Sequence, residues 1–306
     1  MTVGLAERAL DPATPEPNPT PRRTAAAWWT IGPLVIVAVV AVYPLARVLI
    51  NSTSGRGASS WSGVLSSELF RTSLLTTARI AACATLGCLV LRTFIAVVLA
   101  FVPFPGSTVV GRLIDTVLAL PSFLITLAFT FIYGSAGIVN AALFELIGSR
   151  PVNFLTTELG VVVAEITFFT PFVVRPLLAA FAMVPREQLD VAASLGASPW
   201  RVLRTVVMPE AWPALMAGGG LVLLLTLNEF GIVLFTGAKD VTTLPVLIYT
   251  RGIVTFDLAG AAVIATVQVG LSIGLYLLYR KAFSRMTSSR GASTRKDNGD
   301  AVLDQA

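Results

Sequence analysis

Six apolar runs, each roughly twenty to thirty residues long, limit what this chain can become, because about twenty consecutive apolar residues let an α-helix cross the hydrocarbon core of a bilayer. They extend from about Ala25 to Ile50, Thr72 to Val102, Leu113 to Tyr133, Leu159 to Phe181, Pro213 to Phe235 and Val254 to Tyr279. In lipid a helix satisfies its backbone N–H and C=O groups within its own segment, so each run is expected to be a helix. The expected fold class is therefore all-α integral membrane, with six transmembrane helices. Composition agrees: 55% of residues are hydrophobic and 13% charged, where a soluble domain has about 25% charged.

Several chemistries are excluded by residue type. The chain has no histidine, which removes His-dependent triads and His-ligated metals. Its only lysines are Lys239, Lys281 and Lys296, none within an expected span, so a Ser-Lys membrane protease has no base. Cys83 and Cys88 lie five apart in one apolar run, point to different helix faces and read as packing residues. No GxxxxGK[ST] sequence is present, so the chain carries no P-loop with which to hydrolyse ATP itself. No cofactor is expected on this chain.

Residues 1–24, rich in Pro, Thr and charge, read as a disordered cytoplasmic leader. Arg22 and Arg23 precede the first run as in a signal peptide, but that run is too long for a cleaved segment and reads as a retained anchor. In the second run Arg79 and Arg92 are expected to orient or pack the helix, which ends at Val102 to Gly106, VPFPG. The third opens with Arg112 and Asp115, read as a local ion pair, and should kink at Pro121. Residues 134–158 read as an external loop carrying a short interfacial helix over Ala141 to Ile147. A transmembrane domain is placed at 25–280 and a basic cytoplasmic tail at 281–306.

Lys and Arg set the orientation. Arg8, Arg22, Arg23, Arg112, Arg186, Arg201, Arg204 and the basic residues from Arg280 onward fall on one side. Arg56, Arg71, Arg150, Lys239 and Arg251 fall on the other. The positive-inside rule puts both termini and the stretch between spans four and five in the cytoplasm, and makes this a multi-pass protein of the plasma membrane. The net charge of +5 is thereby explained by topology, without nucleic acid.

That stretch, Pro185 to Pro209, reads as helix, glycine turn, helix. Pro185 suits a first helical position, and Glu187 and Asp190 place negative charge near the positive end of the helix dipole. Leu189, Ala192, Ala193 and Leu195 give an apolar, small face, and Gly196 stops the helix. Ser198 and Pro199 read as a cap and first turn, Arg201 and Arg204 share a face, and the second helix is expected to end before Pro209.

The spacing acid-x-Ala at Asp190 to Ala192, Gly196, then Val206-Val207-Met208-Pro209 resembles the coupling loop of binding-protein-dependent ABC importer permeases. The chain is thus identified as similar to a type I, MetI-like importer permease, with the coupling loop at 183–212. The stretches from Leu118 to Asn140, Glu165 to Phe181 and Leu227 to Tyr249 resemble permeases for 2-aminoethylphosphonate import, and the resemblance covers about residues 70–280. It implies a cytoplasmic ATP-binding subunit dimer carrying the ATP, a second permease (the same or a related chain) and an extracytoplasmic solute-binding protein. Ferric iron, molybdate, sulfate and polyamine permeases share the architecture. Glu187, Asp190, Ala192, Ala193, Gly196, Ser198, Arg201 and Pro209 are the residues expected to engage the ATPase.

Polar residues inside the spans are the second set of candidates, since unsatisfied polar groups are costly there. Asn228 and Glu229 at mid-depth either line the translocation path or make a helix–helix hydrogen bond, and both readings stand. Glu165 and Arg175, nearly three turns apart, are further candidates for the translocation path, read as pairing with other helices or gating, with substrate contact as the alternative. Gly218, Gly219 and Gly220 mark close helix approach. An ion-gradient transporter, an intramembrane enzyme and a passive channel are the rival classes, and none of them accounts for the cytoplasmic loop.

Overall fold

The computed structural model describes residues 27–149, 152, 154–238 and 241–303. The expected leader at 1–24, with Arg8, Arg22 and Arg23, lies outside the described residues, as do Arg150 and Lys239. The chain divides into two compact units, 1–47 and 48–306. The first holds most of α1, Ala27–Ser52, which carries Pro33 and Pro44 within it. Its apolar side chains, Leu34 to Val42 among them, are exposed, as in a helix that faces lipid.

The second unit begins with α2, Trp61–Ser66, and α3, Glu68–Phe101. Ser67 starts α3 by accepting the Phe70 N–H, and Glu68 sits in the first turn, where negative charge suits the dipole. It stops at Val102, whose extended backbone is what a following proline favours. Next come α4, Ser107–Leu118, and α5, Ser122–Tyr133. The expected third span is thus broken at Pro121, whose ring and missing N–H end the helix outright where a kink was expected. The external loop expected at 134–158 is correspondingly shorter, because α6, Ile138–Ile147, follows α5 closely and makes an apolar segment from Ser122 to Ile147. Asn140 holds that link by donating to the carbonyls of Gly134 and Val152.

Span four is two helices, α7, Glu158–Phe168, and α8, Pro171–Ala182, bent by 41°. Then come α9, Arg186–Ser194, and α10, Pro199–Val202. A π turn at Leu203–Val207 runs into α11, Met208–Leu227, so the chain is helical from Pro199 to Leu227. The second short helix was expected to end before Pro209. Instead the wide turn places Pro209 in the first turn of α11, where a missing N–H costs little. The fifth span also ends earlier than expected, at Leu227, and α12, Gly231–Thr236, is separate.

The loop expected before span six contains α13, Leu244–Tyr249, and a π turn at Thr250–Val254. It is tied to α3 where the Leu244 N–H donates to Thr77 Oγ1 at 2.8 Å. The last helix, α14, runs Leu258–Leu303, with an apolar portion from Leu258 to Lys281, so the backbone of the expected tail continues the helix. Among the described residues five helices are long and apolar enough to cross a membrane, or six with the bent pair counted as one span.

Three clusters form the core of the second unit. One joins α3, α8 and α11 through Cys88, Val173, Leu177 and Val222. Another joins α3, α5, α7 and α12 through Ile80, Ile125, Val161 and Ile232. The third joins α2, α3, α13 and α14 through Val64, Phe70, Leu247 and Ile264. Long α3 takes part in all of them. The expected glycine contacts are present: a Cβ on Gly218 would meet α8 at Val173, one on Gly219 would meet Leu89 of α3, and one on Gly220 would press on the Tyr279 ring of α14.

Candidate coupling and translocation site

α9 ends in a Schellman motif, with the Ala197 N–H on the Ala192 carbonyl at 3.0 Å and the Gly196 N–H on Ala193 at 2.9 Å. Gly196 has φ +74°, the left-handed geometry that glycine adopts without strain. The next helix starts as expected, with Ser198 Oγ accepting the Arg201 N–H and Pro199 in the first turn. Thr205 ties the π turn by donating to the Arg201 carbonyl at 2.7 Å.

The element has an attached side and an open side. Leu189, Val202 and Leu203 pack against the α3–α8–α11 cluster. No residue of α9 is buried; Glu187, Asp190 and Arg201 are exposed, and Leu195 is 82% and Trp200 71% exposed. Glu187, Val191, Ala192, Leu195 and Val206 line a shallow groove on its surface. A second hollow, of about 540 Å³, lies between the element and the end of α3 at Val97 and Phe101. Large apolar side chains beside charged ones on a projecting knuckle have the composition of a protein-docking surface.

One sequence expectation about charge changes. Among the described residues Arg112 and Asp115 form no ion pair; Asp115 is ion-paired with Arg175 and so joins α4 to α8. Arg175 thus pairs with another helix, one of the readings the sequence allowed for it. Arg79 of α3 is ion-paired in the same manner with Glu158, at the start of α7.

The remaining candidates converge where α11 ends. Glu229 turns back to accept the Ile232 N–H at 2.9 Å and caps α12, and it lies within electrostatic range of Glu165 on α7. Glu165 is fully buried, with neither carboxylate oxygen hydrogen-bonded among the described residues. Asn228 donates to Ser272 Oγ at 3.2 Å and accepts from Gln268 Nε2 at 3.2 Å. Of its two sequence readings the helix–helix hydrogen bond is present, joining α11 to α14, and Asn228 itself is exposed.

Sequence reading passed over Gln268 and Ser272, although two polar residues four apart on an otherwise apolar span share one face and gave a usable signal. It also took Arg92 for ordinary packing. Arg92 is fully buried and donates to the Ile166 carbonyl. No group of three or more metal-ligating side chains is present among the described residues.

The likeness to known proteins covers the same elements. A protein of Salmonella paratyphi A, named provisionally as the 2-aminoethylphosphonate transport system permease protein PhnU, is 49% identical over 263 residues, covering 84% of this chain and 91% of that one. A protein of Chlorokybus atmophyticus, named with the same reserve as the sulfate transport system permease protein cysT, is 36% identical over 194 residues, covering 61% and 65%. In fold the chain is similar to the bacterial alginate ABC transporter solved in complex with an alginate-bound periplasmic protein. The TM-score is 0.75 at 17% identity, covering 86% of this chain and 95% of that one. The pattern of the binding-protein-dependent transport system inner membrane component matches residues 92–288, from within α3, through the whole coupling element, to beyond the apolar part of α14. The chain belongs to that family of membrane-embedded transport subunits.

Proposed function

We propose that this permease imports 2-aminoethylphosphonate, or a closely related phosphonate, with ATP hydrolysed on a separate pair of subunits that grip the element at Pro185 to Pro209. The observation that carries the reading is the exposed, apolar-and-acidic knuckle held by the Gly196 turn. Its second helix is continuous with α11, and its first follows α8 closely, so a displacement imposed at α9 and α10 passes into two core helices at once. The substrate follows from the 49% identical relative. The arginine distribution supports a cytoplasmic position for the knuckle and both termini. A solute-binding protein delivers cargo to the opposite face, and a second permease completes the path.

Within the bundle, Asn228, Gln268 and Ser272 offer neutral hydrogen-bonding groups and Glu229 a carboxylate suited to an ammonium group. Sulfate is the competing cargo, favoured by the second relative. Uptake of labelled 2-aminoethylphosphonate into vesicles holding the permease, its ATPase and its binding protein separates the two. Excess unlabelled phosphonate should abolish the signal, whereas excess sulfate should leave it; abolition by sulfate overturns the assignment.

The Glu229 carboxylate has two roles that substitutions can part. Glu229→Ala removes the cap on α12 and should lower stability by about 0.5–2 kcal/mol, while Glu229→Gln keeps an acceptor and should lose less. Thermal unfolding in detergent checks that order. If the charge also serves the path, Glu229→Gln still loses uptake of the ammonium-bearing substrate despite its retained fold. Normal uptake in both variants removes Glu229 from the path.

A further inference from the structure

In an unbroken helix the Ile166 carbonyl would accept the N–H of Thr170. At the break between α7 and α8 that N–H goes to the Thr167 carbonyl at 3.3 Å instead. Two side chains take the freed carbonyl: Thr170 Oγ1 donates to it at 2.9 Å, and Arg92 reaches across from α3 to donate through Nη2.

Arg92 is an expensive way to satisfy one carbonyl. It is fully buried, and its Nε and Nη1 have no hydrogen-bond partner among the described residues. One residue before Ile166 stands Glu165, equally buried and equally without a hydrogen bond. Cys88, one turn before Arg92 on α3, is within electrostatic range of both, and Glu229 is the other acid within range of Glu165. Opposite charges this deep in a membrane bundle are costly unless paired. Here the guanidinium is held on the carbonyl of the residue that follows Glu165 in the chain, and the carboxylate itself has no hydrogen bond among the described residues. Pro171, first in α8, has no N–H to offer the Thr167 carbonyl, so an unbroken helix cannot form across the bend.

We propose that Arg92 is a positioning residue for a hinge in the fourth span. In this geometry it pins the Ile166 carbonyl opened by the bend, and when the coupling element moves α8 it exchanges that carbonyl for the Glu165 carboxylate. One cation with two alternative buried partners gives two discrete arrangements, as a switching element requires. The inference rests on the reading of the chain as an ATP-driven permease.

The test uses the whole transporter in lipid vesicles, with spin labels on cysteines placed at Leu159 and Met183, both exposed, in a Cys83→Ser background that leaves buried Cys88 in place. The distance between labels is compared without nucleotide and with ATP held by a hydrolysis-deficient ATPase, and uptake of 2-aminoethylphosphonate is measured in parallel. The parent should show a shifted distance with ATP. Arg92→Met should abolish the shift and lower uptake per ATP hydrolysed by roughly tenfold, the factor produced by about 1.4 kcal/mol of lost coupling. Arg92→Lys, which keeps charge and donor, should keep the shift. Where the Met variant is not recovered in membranes, Glu165→Gln carries the test, because loss of the second partner should also abolish the shift. A parent-like shift and uptake in Arg92→Met or in Glu165→Gln overturns the hinge role. A parent without ATP-linked shift or uptake overturns the permease reading beneath it.

Discussion

Gly196→Val should abolish ATP-driven uptake while leaving the chain in the membrane at its usual level. The position has φ +74° and nothing within 4 Å of where a Cβ would stand, so the cost comes from the backbone alone. A β-branched residue is a steric outlier in left-handed geometry. Holding it there costs about 1–3 kcal/mol, enough to depopulate the turn by roughly tenfold or more. Relaxing the strain means losing the Ala197-to-Ala192 and Gly196-to-Ala193 hydrogen bonds and turning α9 away from α10. The bundle should survive, because no residue of α9 or α10 is buried in it. Gly196→Asn is the discriminating partner, since asparagine tolerates this geometry and closes the same motif; its uptake should stay near the parent's. Equal loss in Asn and Val would mean that the turn geometry is not what matters. Normal uptake in Val would detach the turn from coupling altogether.

Gly218→Leu should act on the bundle itself. A Cβ at this position already sits 3.5 Å from the Phe172 carbonyl oxygen and the Val173 Cα, and 3.4 Å from Val173 Cγ2. Those backbone atoms cannot rotate aside, so the further carbons of leucine must push α11 from α8 just beyond the bend in the fourth span. Overpacking of this kind costs about 1–3 kcal/mol, read as a lower unfolding temperature in detergent and less chain in membranes. Gly220 differs, because its neighbour is the Tyr279 ring, a side chain that can swing. Gly220→Ala should therefore be the milder change. If the two variants unfold at the same temperature, close backbone approach does not set the cost.

The parts of this structure legible from sequence were those governed by local rules. Twenty-residue apolar runs gave the membrane helices, and proline, glycine and serine at fixed spacings gave the Gly196 turn with its second helix starting at Ser198. The breaks were less legible. Pro121 announced an interruption, but whether a span kinks or ends depends on what takes the freed carbonyls, and in the fourth span the answer at Ile166 comes from Arg92, seventy-four residues away. Pro209 misled for the opposite reason, since a π turn just before it absorbed the missing N–H within a continuing helix.

Charge pairing was obscured in the same way. Arg112 and Asp115 looked like partners along one helix until α8 brought Arg175 to the acid. At the site, Asn228 and Glu229 stood out because they are polar within an apolar run. Gln268 and Ser272 stood just as plainly on α14, but their significance came only with the contact between α11 and α14 that pairs them with Asn228.

The central claim is that mechanical work enters the bundle at the Pro185 to Pro209 knuckle from ATP bound on another subunit. Its most direct test is uptake of 2-aminoethylphosphonate by sealed vesicles containing the permease, the ATPase pair and the binding protein, with ATP supplied on the ATPase side and no ion gradient. Uptake that requires ATP, and is lost in Gly196→Val with the ATPase still bound, is the expected result. Uptake that continues without ATP and follows an imposed proton or sodium gradient would contradict it.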